Sequence, residues 1–224
     1  QAIADVRAAG RFTSLFDFCE RVDLKRVNRR VLEALVKCGA FDATWAGGLG
    51  SMRVIGEARA RMFAAIPLAV ERGQKAHSER EAGQKSLFAM IAADDEATPA
   101  AAVFPTAEAW ADKTVLALEK ETIGFYVTGH PLDRYADELE LYGTHDTSSL
   151  LEQSNGAEVS VVGVIAALRE RPMKSGGGKM AYATLEDRSG QVELIVFQRC
   201  YAEHEEILHC DEPVMVRGDR KSVV

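Results

Sequence analysis

Six consecutive residues, Lys25-Arg26-Val27-Asn28-Arg29-Arg30, hold four cations around one asparagine. Asn28 suits a helix N-cap, so these cations would gather where a helix begins. Helix-start amides beside positive side chains suit a bound phosphate, and such contacts carry little base information. The same residues fit a solvated basic face, and the pattern alone divides evenly between the two. A second basic group surrounds the loop SGGG: Arg169 and Arg171 precede it, Lys174 and Lys179 flank it, and Tyr182 follows. A basic groove with a stacking aromatic ring is how single-stranded nucleic acid is held. Strand alternation could bury Tyr182 or Phe197, and Phe197 is assigned to the core. A third stretch, GQKSLFAM from Gly83 to Met90, sets Leu87 and Phe88 between the polar tract ERGQKAHSEREA and the Ala-rich AADDEATPAAA. A disordered peptide needs a few deep anchors to offset its ordering entropy. Leu87 and Phe88 could be such anchors; a small apolar cluster packed on the preceding helix is the alternative.

Bond-making chemistry is sparsely supported. Asp94, Asp95 and Glu96 are consecutive acids in an Ala-rich segment and read as solvated. His130 lies in a Gly-His-Pro turn with no second ligand at metal spacing, and reads as structural. His204 and His209 are far from any Cys pair. Cys19, Cys38, Cys200 and Cys210 are widely spaced with no C-x-x-C, which reads as buried reduced thiols in a cytoplasmic protein. No catalytic, metal or cofactor residue is assigned.

The elements that must position these groups follow from periodicity. SLFDFCERVDLKRVNRRVLEALVKCGAFD reads as two helices around a short hairpin. In the second helix Val27, Val31, Ala34, Leu35 and Cys38 recur at helical spacing, and Gly39 stops it. Residues 51–74 form another helix, which Pro67 is expected to kink or restart. A loose tract runs to about Thr106. Leu116 to Ile123 is helical, Gly129-His130-Pro131 marks a turn, and Leu132, Tyr135, Leu139 and Tyr142 share the face of a short acidic helix. From Gly156 the period changes to that of strands. Three strands, a helical piece (QRCYAEHEEILHC, with Cys200 and Cys210 assigned to the core) and a further strand give the order β-β-β-α-β. That is a five-stranded OB barrel without its last strand. The predicted fold class is therefore α+β. A helical region (1–75) and a flexible connector (76–106) lead to a helical linker (107–156) and an incomplete OB domain (157–224).

The chain has 224 residues and a net charge of −7. The mean conceals a division: residues 1–61 carry 11 basic and 7 acidic groups, residues 91–156 carry 3 and 13. A nucleic-acid partner is compatible with such local concentration. No apolar run approaches membrane-spanning length and no signal-peptide pattern opens the chain. Both ends read as cuts through a longer polypeptide.

SLFDFCERVDLKRVNRRVLEALVKCGAFD and LALEKETIGFYVTGHPL resemble the C-terminal part of the bacterial replicative DNA polymerase III alpha subunit. The strands from Val159 to Phe197 resemble the OB domain that follows in that family. The resemblance covers nearly the whole chain and implies several roles. Phe16 to Phe41 would be a second helix-hairpin-helix motif, with Lys25, Arg26, Asn28 and Arg29 beside the duplex backbone. Gln84, Ser86, Leu87 and Phe88 match the family's internal sliding-clamp motif Gln-x-x-Leu-Phe. Primer-template duplex, single-stranded template, the clamp and other replisome subunits are the implied partners. Template-directed DNA synthesis, with Mg²⁺, would belong to the parent chain, whose catalytic aspartates lie upstream of Gln1. The sequence DRKSVV departs from the family's usual continuation. A rival resemblance, to the OB anticodon-binding domain of aminoacyl-tRNA synthetases, leaves the helical part unexplained. A structural adaptor without nucleic-acid contact is the third reading.

Overall fold

The computed structural model describes residues 2–45, 50–81, 104–173, 178–210 and 212–221. They form two compact units, Gln1–Thr128 and Gly129–Val224. Among the described residues the first holds helices α1 (Ala2–Ala8), α2 (Leu15–Arg21), α3 (Arg29–Lys37), α4 (Met52–Glu81) and α5 (Asp112–Ile123). The second holds α6 (Ala136–Tyr142), strands β1 (Glu158–Pro172), β2 (Lys179–Glu186) and β3 (Gln191–Val196), α7 (Gln198–Leu208) and β4 (Val214–Asp219). Residues 107–156, grouped as one linker from sequence, are thus divided: α5 belongs to the first unit and α6 to the second. No helix among the described residues is long and apolar enough to cross a membrane.

The first unit's core joins Leu15, Phe18 and Cys19 of α2, Leu32 and Val36 of α3, and Met62, Ile66 and Ala69 of α4. Each large side chain so buried contributes about 1.5–3 kcal/mol. Burial pushes the Cys19 thiol up to about 12. The buried stripe of α3 is Leu32 and Val36, whereas Val31 is exposed. The sequence reading placed the stripe one residue too early because Val27, though buried, lies in the turn before the helix. Pro67 neither ends nor restarts α4, which continues to Glu81. Buried Met62, Ile66 and Ala69 straddle the proline, so packing on both sides offsets the bond it removes. The Phe104 ring packs on this core, 5.5 Å from the Phe16 ring and 5.2 Å from that of Trp45.

One buried guanidinium joins four segments. Arg59 of α4 is fully buried. Its Nε donates to Asp42 Oδ1 at 3.0 Å and its Nη2 to Asp42 Oδ2 at 2.6 Å. Its Nη1 donates to the Lys37 carbonyl at 3.2 Å and to Glu119 Oε1 at 2.8 Å. Glu119, also buried, accepts from the Val127 amide at 2.7 Å, the Thr128 amide at 3.1 Å and the Thr128 hydroxyl at 2.9 Å. Gly39 has φ +80°, and a Cβ there would collide with Arg59 Nη2 and lie 2.6 Å from Asp42 Oδ2. The glycine thus ends α3 and makes room for the guanidinium. Desolvation works against both charges. It is outweighed at Arg59 by hydrogen bonds to Asp42 and Glu119, which hold the guanidinium above its usual range. At Glu119 it is outweighed by the Val127 amide and Arg59, which hold the carboxyl below its usual range.

In the second unit the strands form one antiparallel sheet in the order β3-β2-β1-β4. Strand β1 serves two partners: Glu158–Gly163 pair with β4 and Val164–Pro172 with β2, with a register shift between Ile165 and Ala167. A bulge of this kind bends the strand, curling the sheet into the half-barrel of an OB domain. Ala181, Ala183, Val196 and Tyr201 form one cluster, and Leu150, Val161 and Leu185 another. Three core assignments are corrected here. Phe197 is 58% exposed, and Cys200 and Cys210 are exposed. Phe197 continues the outward parity of β3, and the inward side of α7 is occupied by Tyr201. Tyr142 is likewise exposed, leaving Leu132 as the buried member of its expected face. His130 is structural: its Nδ1 accepts from the Leu132 amide at 3.2 Å, while Asp133 accepts from the His130 amide at 2.6 Å.

Breaking a buried pair costs about 3–5 kcal/mol because one charge is left uncompensated. Arg59→Ala should therefore lower the melting temperature of the helical unit strongly, read by calorimetry. The acid limb should depend on Glu119. Its folded pKa is depressed, so its contribution is complete above the unfolded value of about 4.3. That contribution disappears as the pH falls through the lower folded value. Glu119→Gln should be less stable at neutral pH yet lose less on acidification, as acid titration followed by circular dichroism will show.

Candidate nucleic-acid interface

The hairpin between α2 and α3 is built by Asp23. Its carbonyl accepts from the amides of Arg26 at 3.0 Å and Val27 at 3.1 Å, and its Oδ1 from the Lys25 amide at 2.9 Å. Val22 and Val27 are buried at the two ends of this turn, which leaves Lys25 and Arg26 exposed at its tip. Asn28 caps α3: its Oδ1 accepts from the Val31 amide at 3.1 Å. Arg29 and Arg30 follow on the first turn, both exposed. Arg26 lies 3.6 Å from Asp23 and Arg29 2.8 Å from Glu33, with side chains 73% and 66% exposed. Exposed pairs of this kind contribute little and cost little to exchange for a phosphate. The structure thus gathers all four hairpin residues singled out from sequence, with Arg30, at one turn and one helix start.

The OB residues divide by strand parity. Cross-strand register sets Arg169 beside Tyr182 and Tyr182 beside Ile195, with Arg171 beside Met180. Arg171 lies 5.3 Å from the Tyr182 ring centroid, and Arg169 bonds Glu193 at 2.7 Å. Phe197 continues this face, with Lys221 Nζ 5.4 Å from its ring. Arg169, Arg171, Tyr182 and Phe197 therefore present two rings and two guanidinium groups on one surface. Sequence reasoning missed Phe197 and Lys221. The alternation Gln191, Glu193, Ile195, Phe197 was a signal, but its mixed polarity concealed it.

Lys179 faces the opposite way. Its Nζ lies 2.9 Å from Glu170 and 3.6 Å from Glu205. Glu170 also accepts from the Tyr201 hydroxyl at 2.6 Å and pairs with His209 Nε2 at 2.9 Å. These donors, the tyrosine first, hold the Glu170 carboxyl down at about 2, and the hydrogen bond to that carboxylate raises the Tyr201 phenol. Glu170, Glu205 and His209 bring their ligand atoms within 4.8 Å of one another. The Lys179 ammonium already serves both carboxylates, so this is a clasp between α7 and the sheet. Lys174, Gln84, Ser86, Leu87 and Phe88 lie outside the described residues.

Family comparisons agree with this arrangement. A helix-hairpin-helix motif matches residues 1–53, and an OB-fold nucleic acid binding domain matches residues 159–222. Curated relatives named DNA polymerase III subunit alpha align along almost the whole chain. That of Pseudomonas fluorescens is 34% identical over 98% of this chain and 19% of its own length. That of Escherichia coli K12 is 32% identical over 97% and 18%, and that of Neisseria meningitidis 36% over 95% and 17%. The chain thus spans about a fifth of the length of these relatives.

The two faces of β2 should respond differently to substitution. Tyr182→Ala with Arg171→Ala should weaken oligonucleotide binding with little change in melting, since stacking is worth about 1–3 kcal/mol per base. Lys179→Ala should instead speed amide exchange in α7 and leave affinity nearly unchanged. Fluorescence anisotropy and hydrogen exchange on the same variants check both. Hairpin, curled sheet and alignments converge on one assignment: the chain is homologous to a segment of DNA polymerase III subunit alpha, carrying a helix-hairpin-helix motif ahead of an OB-fold nucleic acid binding domain.

Proposed function

We propose that the chain is the DNA- and clamp-binding part of a bacterial replicative DNA polymerase, acting in the cytoplasm. The observation that carries this reading is the hairpin, where exposed Lys25, Arg26, Arg29 and Arg30 surround a turn pinned by buried Val22 and Val27. Such a turn presents cations and helix-start amides to the backbone of a primer-template duplex. The face of Arg169, Arg171, Tyr182 and Phe197 suits single-stranded template; Lys174 completes this group on the sequence reading. Gln84, Ser86, Leu87 and Phe88 would engage the sliding clamp, with Gln84 fixing register and the two apolar side chains filling its pocket. Nucleotide incorporation, with Mg²⁺, belongs on this reading to the parent polypeptide outside these residues, as do contacts with other replisome subunits.

Phosphate contacts release counterions, so replacing Lys25, Arg26 and Arg29 together by Ala should reduce the salt slope by about 0.9 per lost contact on duplex. Titrating primed DNA, single-stranded DNA and tRNA in parallel tests the class of ligand. Preference for tRNA would favour the synthetase-type reading, and binding to none of the three the adaptor reading. For the clamp, a peptide spanning residues 82–90 should bind, and Leu87→Ala with Phe88→Ala should weaken binding at least about a hundredfold. If that double variant instead melts early with its clamp affinity intact, the two residues are core.

A further inference from the structure

The last turns of α4 do something that the hairpin's own residues do not. Helix α2 has only seven residues, and the carbonyls at a helix end need partners from outside it. Three positions on one face of α4, spaced i, i+4 and i+7, meet the main chain that leads from α2 into the hairpin. Gly73 is buried against Cys19, whose carbonyl carbon would lie 2.8 Å from a Cβ at that position. Arg80 Nη1 donates to the Glu20 carbonyl at 2.7 Å. His77 Nε2 lies 3.0 Å from the Val22 carbonyl. A carbonyl oxygen only accepts, so this imidazole nitrogen carries the proton. Arg72 adds an ion pair to the Glu20 side chain.

Val22 is the residue immediately before Asp23, which builds the turn. The far end of the loop is set by the Asn28 cap, and its near end by His77. We propose that His77 and Arg80 are positioning residues for DNA: they touch no phosphate, but hold the α2 exit so that Lys25, Arg26 and Arg29 meet the duplex backbone together. The proposal rests on the hairpin being the duplex contact. Helix α4 then has two tasks, core packing through Met62 and Ile66 and aiming the hairpin through its tail.

The test uses the full chain and a primer-template duplex, with affinity measured across a salt series. His77→Ala removes a donor and no obligatory charge. It should weaken binding by up to about tenfold, the scale of one neutral hydrogen bond, with the salt slope unchanged. His77→Gln, whose amide can donate to the same carbonyl, should restore affinity. Lys25→Ala is the contrast and should reduce the slope by about one contact. Wild-type affinity in His77→Ala overturns the proposal. So does a slope reduced as in Lys25→Ala, or a loss that follows a lowered melting temperature and is not restored by Gln. If Lys25→Ala, Arg26→Ala and Arg29→Ala together leave affinity and slope unchanged, it is the hairpin reading itself that fails.

Discussion

A buried arginine is the constraint around which the helical unit is organised. Removing a guanidinium from water is costly unless nearly every donor finds an acceptor. The chain meets this demand by bringing Asp42, the Lys37 carbonyl and Glu119 to Arg59. Those partners come from the end of α3, the turn beyond it and α5, so satisfying one side chain fixes three other segments. Glu119 extends the effect by taking the amides of Val127 and Thr128. An apolar core of the same volume could supply as much stability, but it would tolerate sliding; a forked hydrogen-bonded pair has one geometry.

That rigidity bears on function through α3. Its first turn carries Arg29 and Arg30, and its last residues are held by Arg59 through Lys37 and Asp42. A helix of nine residues fixed at one end and capped by Asn28 at the other presents its cations in a defined direction. The OB unit reaches definition differently. There the sheet register decides which side chains face ligand and which face α7, and one lysine faces the other way from the neighbouring arginines.

Much of this was legible in the sequence. The β-β-β-α-β order, the Asn28 cap, the Gly39 stop and the hairpin between them all follow from local rules about periodicity and capping. What escaped depended on long-range partners. Nothing near Arg59 in sequence marks it as buried, since Asp42 and Glu119 lie 17 and 60 residues away. Glu119 reads as one more charged residue of the helix around Leu116 to Ile123. Pro67 reads as a kink or restart of α4 because the local penalty is evident and the packing on both sides of it is not. Phe197 was assigned to the core because alternation alone does not say which parity faces inward; the sheet register, which pairs Tyr182 with Ile195, decides. Lys179 adds to this: its charge was legible, but its place three residues from Tyr182 on β2 turns it to the other face, toward Glu170 and Tyr201.

The cysteines, unremarkable as a set, differ sharply in their surroundings. Cys19 is sealed in the helical core with its thiol held protonated far above neutral pH, whereas Cys200 and Cys210 are exposed on and beside α7. Because the thiolate is the reacting species, a maleimide dye would discriminate between these sulfurs without any engineering. Label would collect at either end of the helix that Lys179 and Tyr201 fasten to the sheet, so the native chain carries its own attachment points for following that helix by fluorescence.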